Sequence, residues 1–214
     1  MRPRLATLLL TLLLLLPAAV ASANAPDVQQ YKPVTDTHNF LLIHDAQLLP
    51  RMRPAFSVHL NYAVQPLEVH GSGVTREFGL VDGIFAVDLT GAFAIFEWWE
   101  MGLHFPVTQV PVTTDFIGSS GVGGSKVPYA IGDIRIETRL RPLDPAKRPV
   151  GLAVNLFLTL PTGTQSVYMG RGKPGGGLRV AVSQRWTRFH FAANLGYAFY
   201  PRATIANLTT DDEL

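Results

Sequence analysis

The chain has 214 residues, 47% hydrophobic and 16% charged, with 19 Gly, 16 Pro, no Cys and a formal net charge of +2. That length can bury the core of one domain, and the lack of cysteine excludes a disulfide scaffold, a zinc knuckle and thiol chemistry. Charged residues are scarcer than the roughly 25% of ordinary soluble domains, while 12 Phe, 6 Tyr and 3 Trp argue against a disordered chain.

The first segment reads as an export address. Arg2 and Arg4 precede an uncharged run from Leu5 to Val20 with nine leucines, followed by Ala21-Ser22-Ala23-Asn24-Ala25. A basic start, a short apolar stretch and an A-x-A end describe a secretory signal peptide. A cut after Ala25 would leave Pro26 just beyond it, a poor substrate geometry, so cleavage is expected after Ala23. The alternative, an uncleaved anchor, is opposed by a run shorter than the ~20 residues a spanning helix needs. Removing residues 1–23 lowers Lys plus Arg from 18 to 16 and leaves all 16 Asp and Glu, so the mature chain is neutral. No basic cluster with interleaved aromatics remains, which sets nucleic acid aside as a partner.

From Pro54 onward the pattern is strand after strand. Phe56, Val58, Leu60, Tyr62 and Val64 alternate with Ser57, His59 and Asn61, the signature of a strand with one apolar face. Six further segments follow the same rule: 80–92, 99–108, 133–141, 151–160, 178–186 and 189–200. Their polar faces carry Asp82 and Asp88, then Glu100 and His104, then Arg135, Glu137, Arg139 and Arg141, and later Asn155, Arg179, Arg185, His190 and Asn194. No charge falls on an apolar face. Connections 65–79, 109–132 and 161–177 are long and rich in Gly, Ser, Thr and Pro, whereas 93–98, 142–150 and 187–188 are short. No capped helical period follows the signal peptide.

Two all-β architectures share this alternation. A soluble sandwich buries the apolar face; a transmembrane barrel turns it to lipid and the polar face to its lumen. Strands of nine to eleven residues, strictly alternating loop lengths, aromatics near strand ends and only four Lys all favour the barrel. The fold expected is therefore all-β, an antiparallel up-and-down transmembrane β-barrel with seven or eight strands present. Its lumen would be lined by His59, Asp82, Asp88, Glu100, His104, Arg135, Glu137, Arg139, Arg179, Arg185 and His190, as a charged pore lining or as a salt-bridge ladder.

Several segments carry a family resemblance. Phe40-Leu41-Leu42-Ile43-His44-Asp45-Ala46-Gln47-Leu48-Leu49-Pro50, Asn61-Tyr62, Pro66-Leu67, Glu100 to Pro106, Ile131 to Glu137, Leu158 to Gly163 and Ala193 to Tyr197 resemble the barrel of OmpA-family proteins of the myxobacterial type. The resemblance implies an outer-membrane barrel, often followed in that family by a periplasmic peptidoglycan-binding domain. That second domain has no counterpart in these residues, so peptidoglycan binding is not carried over.

Seven strands would leave residues 201–214 in an outer loop, whereas single-chain bacterial barrels generally use an even number. The terminal Asp211-Asp212-Glu213-Leu214 also lacks an aromatic end. Either the barrel is incomplete, or the irregular segment 24–53 adds an eighth strand or a plug, with 38–50 as its candidate. The organisation expected is thus a signal peptide over 1–23, an irregular segment over 24–53 and barrel over 54–214.

Other signals are weak. Gly118 to Lys126 is glycine-rich but lacks the Gly-Lys-Ser/Thr ending of a P-loop. Arg171 and Lys173, in a turn-rich loop, are expected to be exposed and to meet lipopolysaccharide phosphates. His59, His104 and His190 share the polar face without metal-ligand spacing, and Asp82 or Asp88 with His104 is the one acid–His pair a hydrolase could use. No metal and no cofactor is called for. The function expected is an outer-membrane barrel with a structural or passive-pore role, with outer-membrane lipid, lipopolysaccharide and small solutes as partners. A soluble periplasmic β-sandwich that binds a ligand and a barrel hydrolase are the alternatives.

Overall fold

The computed structural model describes residues 27, 29–35, 40–69, 78–109, 129–165, 169–200, 203–205 and 208–210. The signal peptide expected over 1–23 lies outside them, as does the glycine-rich stretch from Gly118 to Lys126. The backbone of Asp82 is described; its side chain is not.

Among the described residues there are ten strands: β1 Pro54–Val69, β2 Phe78–Phe96, β3 Trp99–Gln109, β4 Ala130–Ile131, β5 Ile134–Leu143, β6 Gly151–Leu160, β7 Gly175–Arg185, β8 His190–Phe199, β9 Ala203–Ile205 and β10 Leu208–Thr210. Seven of them form one antiparallel meander, β1-β2-β3-β5-β6-β7-β8, with the two-residue β4 beside β3. The fold is all-β, and the meander is an open half-barrel with β1 and β8 at its edges. No α-helix occurs among the described residues. Every strand expected from alternation is present. β1 and β2 run furthest past the expected bounds, because alternation continues through Phe93-Ala94-Ile95-Phe96 and beyond Val64, where register shifts absorb the irregularity near Leu67. Residues 203–205 and 208–210 pair as a short hairpin rather than forming plain loop, in keeping with their β-branched Thr and Ile.

The short connections, at 97–98, 144–150 and 186–189, lie at one end of the sheet, and the connection from β6 to β7 lies at the other. At the short-turn end Phe96, Trp98 and Trp99 stack with centroids 5.5 to 6.3 Å apart. Trp99 Nε1 donates to Thr138 Oγ1 across the sheet at 2.7 Å.

Burial in this sheet is the reverse of a soluble protein's. On the convex face Phe56, Leu60 and Leu195 are 79%, 67% and 77% exposed, while on the concave face Glu100, Glu137 and Arg139 are 0%, 1% and 1% exposed. Large apolar side chains normally lead the buried set, and charges follow only when paired.

The concave charges are covered by the chain's own N-terminal segment. Residues 29–35 cross the long-loop end, and residues 40–53 continue to the short-turn end, where Met52 N donates to Ala94 O at 2.7 Å. Residues 40–50 form no strand. The segment fits closely because the strands present small side chains beneath it: Leu49 packs with Ala55, Ala92 and Ala94, and Ala46 packs with Ala153 and Ala181. Gly102 is the tightest of these positions, since a Cβ there would collide with Thr35.

Gly102→Val should therefore push Thr35 off the sheet, at a cost of about 1–3 kcal/mol. Limited proteolysis should show faster cleavage within 29–35 while far-UV dichroism retains the strand signal; unchanged protection would refute the close fit.

Candidate functional site

The site is the polar concave face together with the segment lying on it. Antiparallel register sets its side chains opposite one another. Glu100 faces Arg139, Gly102 faces Glu137 and His104 faces Arg135 across β3 and β5. Asn155 of β6 then faces Arg139 on one side and Arg179 of β7 on the other.

At the short-turn end Arg139 Nη1 donates to Glu100 Oε1 at 2.7 Å. The same guanidinium donates through Nη2 to the carbonyls of Asp45 at 2.7 Å and Gln47 at 3.3 Å. Glu100 Oε2 accepts the Leu49 amide at 2.8 Å. One ion pair thus satisfies backbone groups of a segment that has no ladder of its own, as buried polar groups require. Beside it, Asp45 lies 2.9 Å from His190 Nε2 and 3.8 Å from Arg185 Nη2.

In the centre Glu137 Oε1 lies 2.8 Å from Arg135 Nε, and Oε2 accepts from Thr35 Oγ1 at 3.2 Å and Asn155 Nδ2 at 3.3 Å. Asn155 Nδ2 also donates to His44 Nε2 at 3.1 Å, which leaves that nitrogen an acceptor and the ring neutral. Asn194 clamps His44 by its backbone, accepting from the amide and donating to the carbonyl, both at 2.8 Å. His44 belongs to the N-terminal segment, outside the strands. Burial pushes it below the ordinary histidine range to about 3, against the upward pull of Glu137 and with Arg139, Arg179 and Arg135 adding to the depression.

Towards the long loops Asp88 holds three partners. Oδ1 accepts from Gln29 Nε2 and meets His104 Nε2, each at 2.7 Å, and Oδ2 accepts from Asn61 Nδ2 at 2.6 Å. His59 Nδ1 lies 3.4 Å from Tyr31 Oη. Asp133, in the connection before β5, accepts the amides of Gly163 and Arg171 at 2.8 Å each and anchors the loop ahead of β7.

Of the residues selected from sequence, Asp88, Glu100, His104, Arg135, Glu137 and Arg139 are buried beneath the segment. His59, Arg179 and His190 are half-buried, Arg185 is exposed, and the Asp82 side chain lies outside the described residues. Arg171 is corrected: expected as an exposed base, it is buried and stacks on the Tyr200 ring at 3.8 Å. The acid–His pair does form between Asp88 and His104, but among the described residues no hydroxyl hydrogen-bonds to His104 to serve as a nucleophile. No cluster of three His, Asp or Glu that could hold a metal occurs among the described residues.

Sequence reasoning missed Gln29, Thr35, His44, Asp45 and Leu49 as partners of the face. The segment has no periodicity to assign it a surface; its one signal is a polar His44-Asp45 inside an apolar run. Comparison with protein families, curated proteins and solved structures finds no match.

Glu100→Gln or Arg139→Met alone strands one buried charge and should destabilise the fold by about 3–5 kcal/mol, whereas the double variant should recover most of the loss. Urea unfolding of protein in detergent micelles measures both; additive losses would show that the pair is not coupled. For His44 the folded pKa of about 3 lies below its unfolded value, so the unfolded chain takes up the proton first. Its contribution is intact above about pH 6.5 and is lost progressively as pH falls towards 3. Proteolysis within 40–53 should accelerate through that window in the wild type. His44→Asn should flatten the dependence.

Proposed function

We propose that this chain is an exported outer-membrane β-barrel protein with a structural or passive-pore role. The observation that carries the reading is the reversed burial: leucines, valines and phenylalanines face outward along the strands, and the charged residues face inward under the N-terminal segment. Water on the convex side would leave that broad apolar surface uncovered, whereas lipid hydrocarbon solvates it. The signal-peptide pattern over 1–23 and the OmpA-type segments support the same reading. The short turns would then face the periplasm and the long loops the exterior, with Trp98, Trp99, Trp186 and Phe189 at the periplasmic interface.

A bilayer also demands that β1 and β8 be paired, because hydrocarbon offers no hydrogen bonds to an open edge. In a meander of seven antiparallel strands the first and last run in the same direction. Closing them on each other would create a parallel seam; an odd number of further strands closes the barrel antiparallel and makes the total even, as in single-chain bacterial barrels. The inward network serves in this reading as a ladder that seats a plug, with lipid and lipopolysaccharide outside and small solutes as candidate cargo.

Cell fractionation should place the protein in the outer membrane, with a heat-modifiable shift on gels. Recovery as a monodisperse periplasmic protein without detergent would overturn the proposal in favour of a soluble sandwich. A sharper discriminator is Leu60→Arg. A charge in the hydrocarbon costs about 2–4 kcal/mol, whereas the same change on a water-exposed strand costs within about 0.5 kcal/mol. Unfolding from lipid vesicles reads the difference.

A further inference from the structure

The short-turn end of the sheet gathers cations from segments far apart in the chain. Arg51 and Arg53 lead into β1, Arg141, Lys147 and Arg148 flank the turn from β5 to β6, and Arg185 and Arg188 flank the turn from β7 to β8. Hydrogen bonds tie these segments to the strand ends: Met52 N donates to Ala94 O at 2.7 Å, Arg141 N to Trp98 O at 2.9 Å and Trp186 N to Phe189 O at 2.7 Å. Asp144 answers two of the cations, meeting Arg141 at 3.3 Å and Lys147 at 3.8 Å, and Asp45 lies 3.8 Å from Arg185. Arg51, Arg53, Arg148 and Arg188 are exposed, against one exposed carboxylate in the same turns, Glu97. The three long connections, 65–79, 109–132 and 161–177, carry four Lys or Arg and three carboxylates among them, so the excess of cations belongs to the short turns. Exposed aromatic side chains interleave with it, namely Phe96, Trp98, Trp186 and Phe189, and the Arg51 guanidinium lies 5.9 Å from the Phe96 ring centroid. Next along the strands come Phe93, Met101, Val182 and Phe191, exposed on the convex apolar face.

We propose, resting on the membrane setting above, that the short-turn end is a docking surface for anionic phospholipid headgroups of the phosphatidylglycerol type. The order along the strands, apolar side chains, then aromatic rings, then arginines, matches the order of acyl chain, interface and phosphate in a leaflet. A cluster of Lys and Arg at that depth favours anionic over zwitterionic headgroups, because each cation there meets a negative surface potential. Six of the seven cations are arginines, whose planar fork accepts two phosphate oxygens at once. An acidic protein would answer the charge and leave the adjoining apolar side chains uncovered, whereas a lipid supplies anion and hydrocarbon together.

The chain has three tryptophans, Trp98, Trp99 and Trp186, and all lie at this end, so their fluorescence reads it directly. The full chain is folded into phosphatidylcholine vesicles that hold a minor fraction of lipid with brominated, quenching acyl chains. Brominated phosphatidylglycerol should quench more than the same fraction of brominated phosphatidylcholine, with a relative affinity of about threefold or more that falls as salt is added. Combining Arg53→Gln, Arg148→Gln and Arg188→Gln should bring the ratio close to that of a non-selective surface, and lysine at the same three positions should retain most of the preference. Lys173→Gln, which removes a cation from the connection between β6 and β7, should leave it unchanged. Equal quenching by the two lipids in wild-type protein that floats with the vesicles overturns the docking surface and leaves the membrane setting standing. Failure to float with vesicles of either composition overturns both. A preference untouched by the triple glutamine variant overturns the assignment to these arginines. Arginine-dependent binding of soluble polyglutamate without a preference for phosphatidylglycerol overturns it in favour of an acidic protein partner.

Discussion

The structure depends on the burial of charge on one face of a sheet. Glu100 and Arg139 stand directly opposite in register, and both also hydrogen-bond to the backbone of the N-terminal segment, at Asp45, Gln47 and Leu49. A buried ion pair with nothing else to satisfy it is weak evidence of stability, because desolvation offsets much of its attraction. Here the pair serves a second purpose: it fixes a segment that contributes no strand to the sheet. Glu137, Asn155 and Asn194 repeat the device around His44, and Asp88 repeats it around Gln29. Small residues between these anchors, chiefly Gly102 and the alanines, let the segment lie close enough for them to reach it.

Covering the polar face in this way transfers the solvation problem to the other one. The convex surface is apolar along every long strand, and among the described residues β1 and β8 stand at open edges of the sheet. Both features fit a medium that dissolves hydrocarbon and forbids open edges, which is why the proposed setting is a bilayer and the proposed architecture a larger closed barrel.

Much of this was legible in the chain. Strict alternation located all seven long strands, since a pleated strand presents successive residues to opposite faces whatever its neighbours. It also put Asp88, Glu100, His104, Arg135, Glu137 and Arg139 on one face together. Strand ends were less legible: Phe93 to Phe96 looked like turn until pairing with β3 showed that alternation ran on. The partners of the polar face were not legible at all. A segment docked through carbonyls and amides leaves no pattern in its side chains, so His44 and Thr35 gave little sign of lying against Glu137. Arg171 was misread because a Gly-rich surrounding suggests solvent, whereas the Asp133 carboxylate draws that loop inward and seats its guanidinium on Tyr200.

The sequence by itself determined the fold class, the two faces of each strand and the segregation of charge to one of them, because these follow from local periodicity and side-chain polarity. Tertiary structure decided which charges meet and what covers them. Register and the path of an aperiodic segment are set by contacts between residues far apart in the chain, such as Leu49 with Glu100 or His44 with Asn194, and local periodicity carries no information about those.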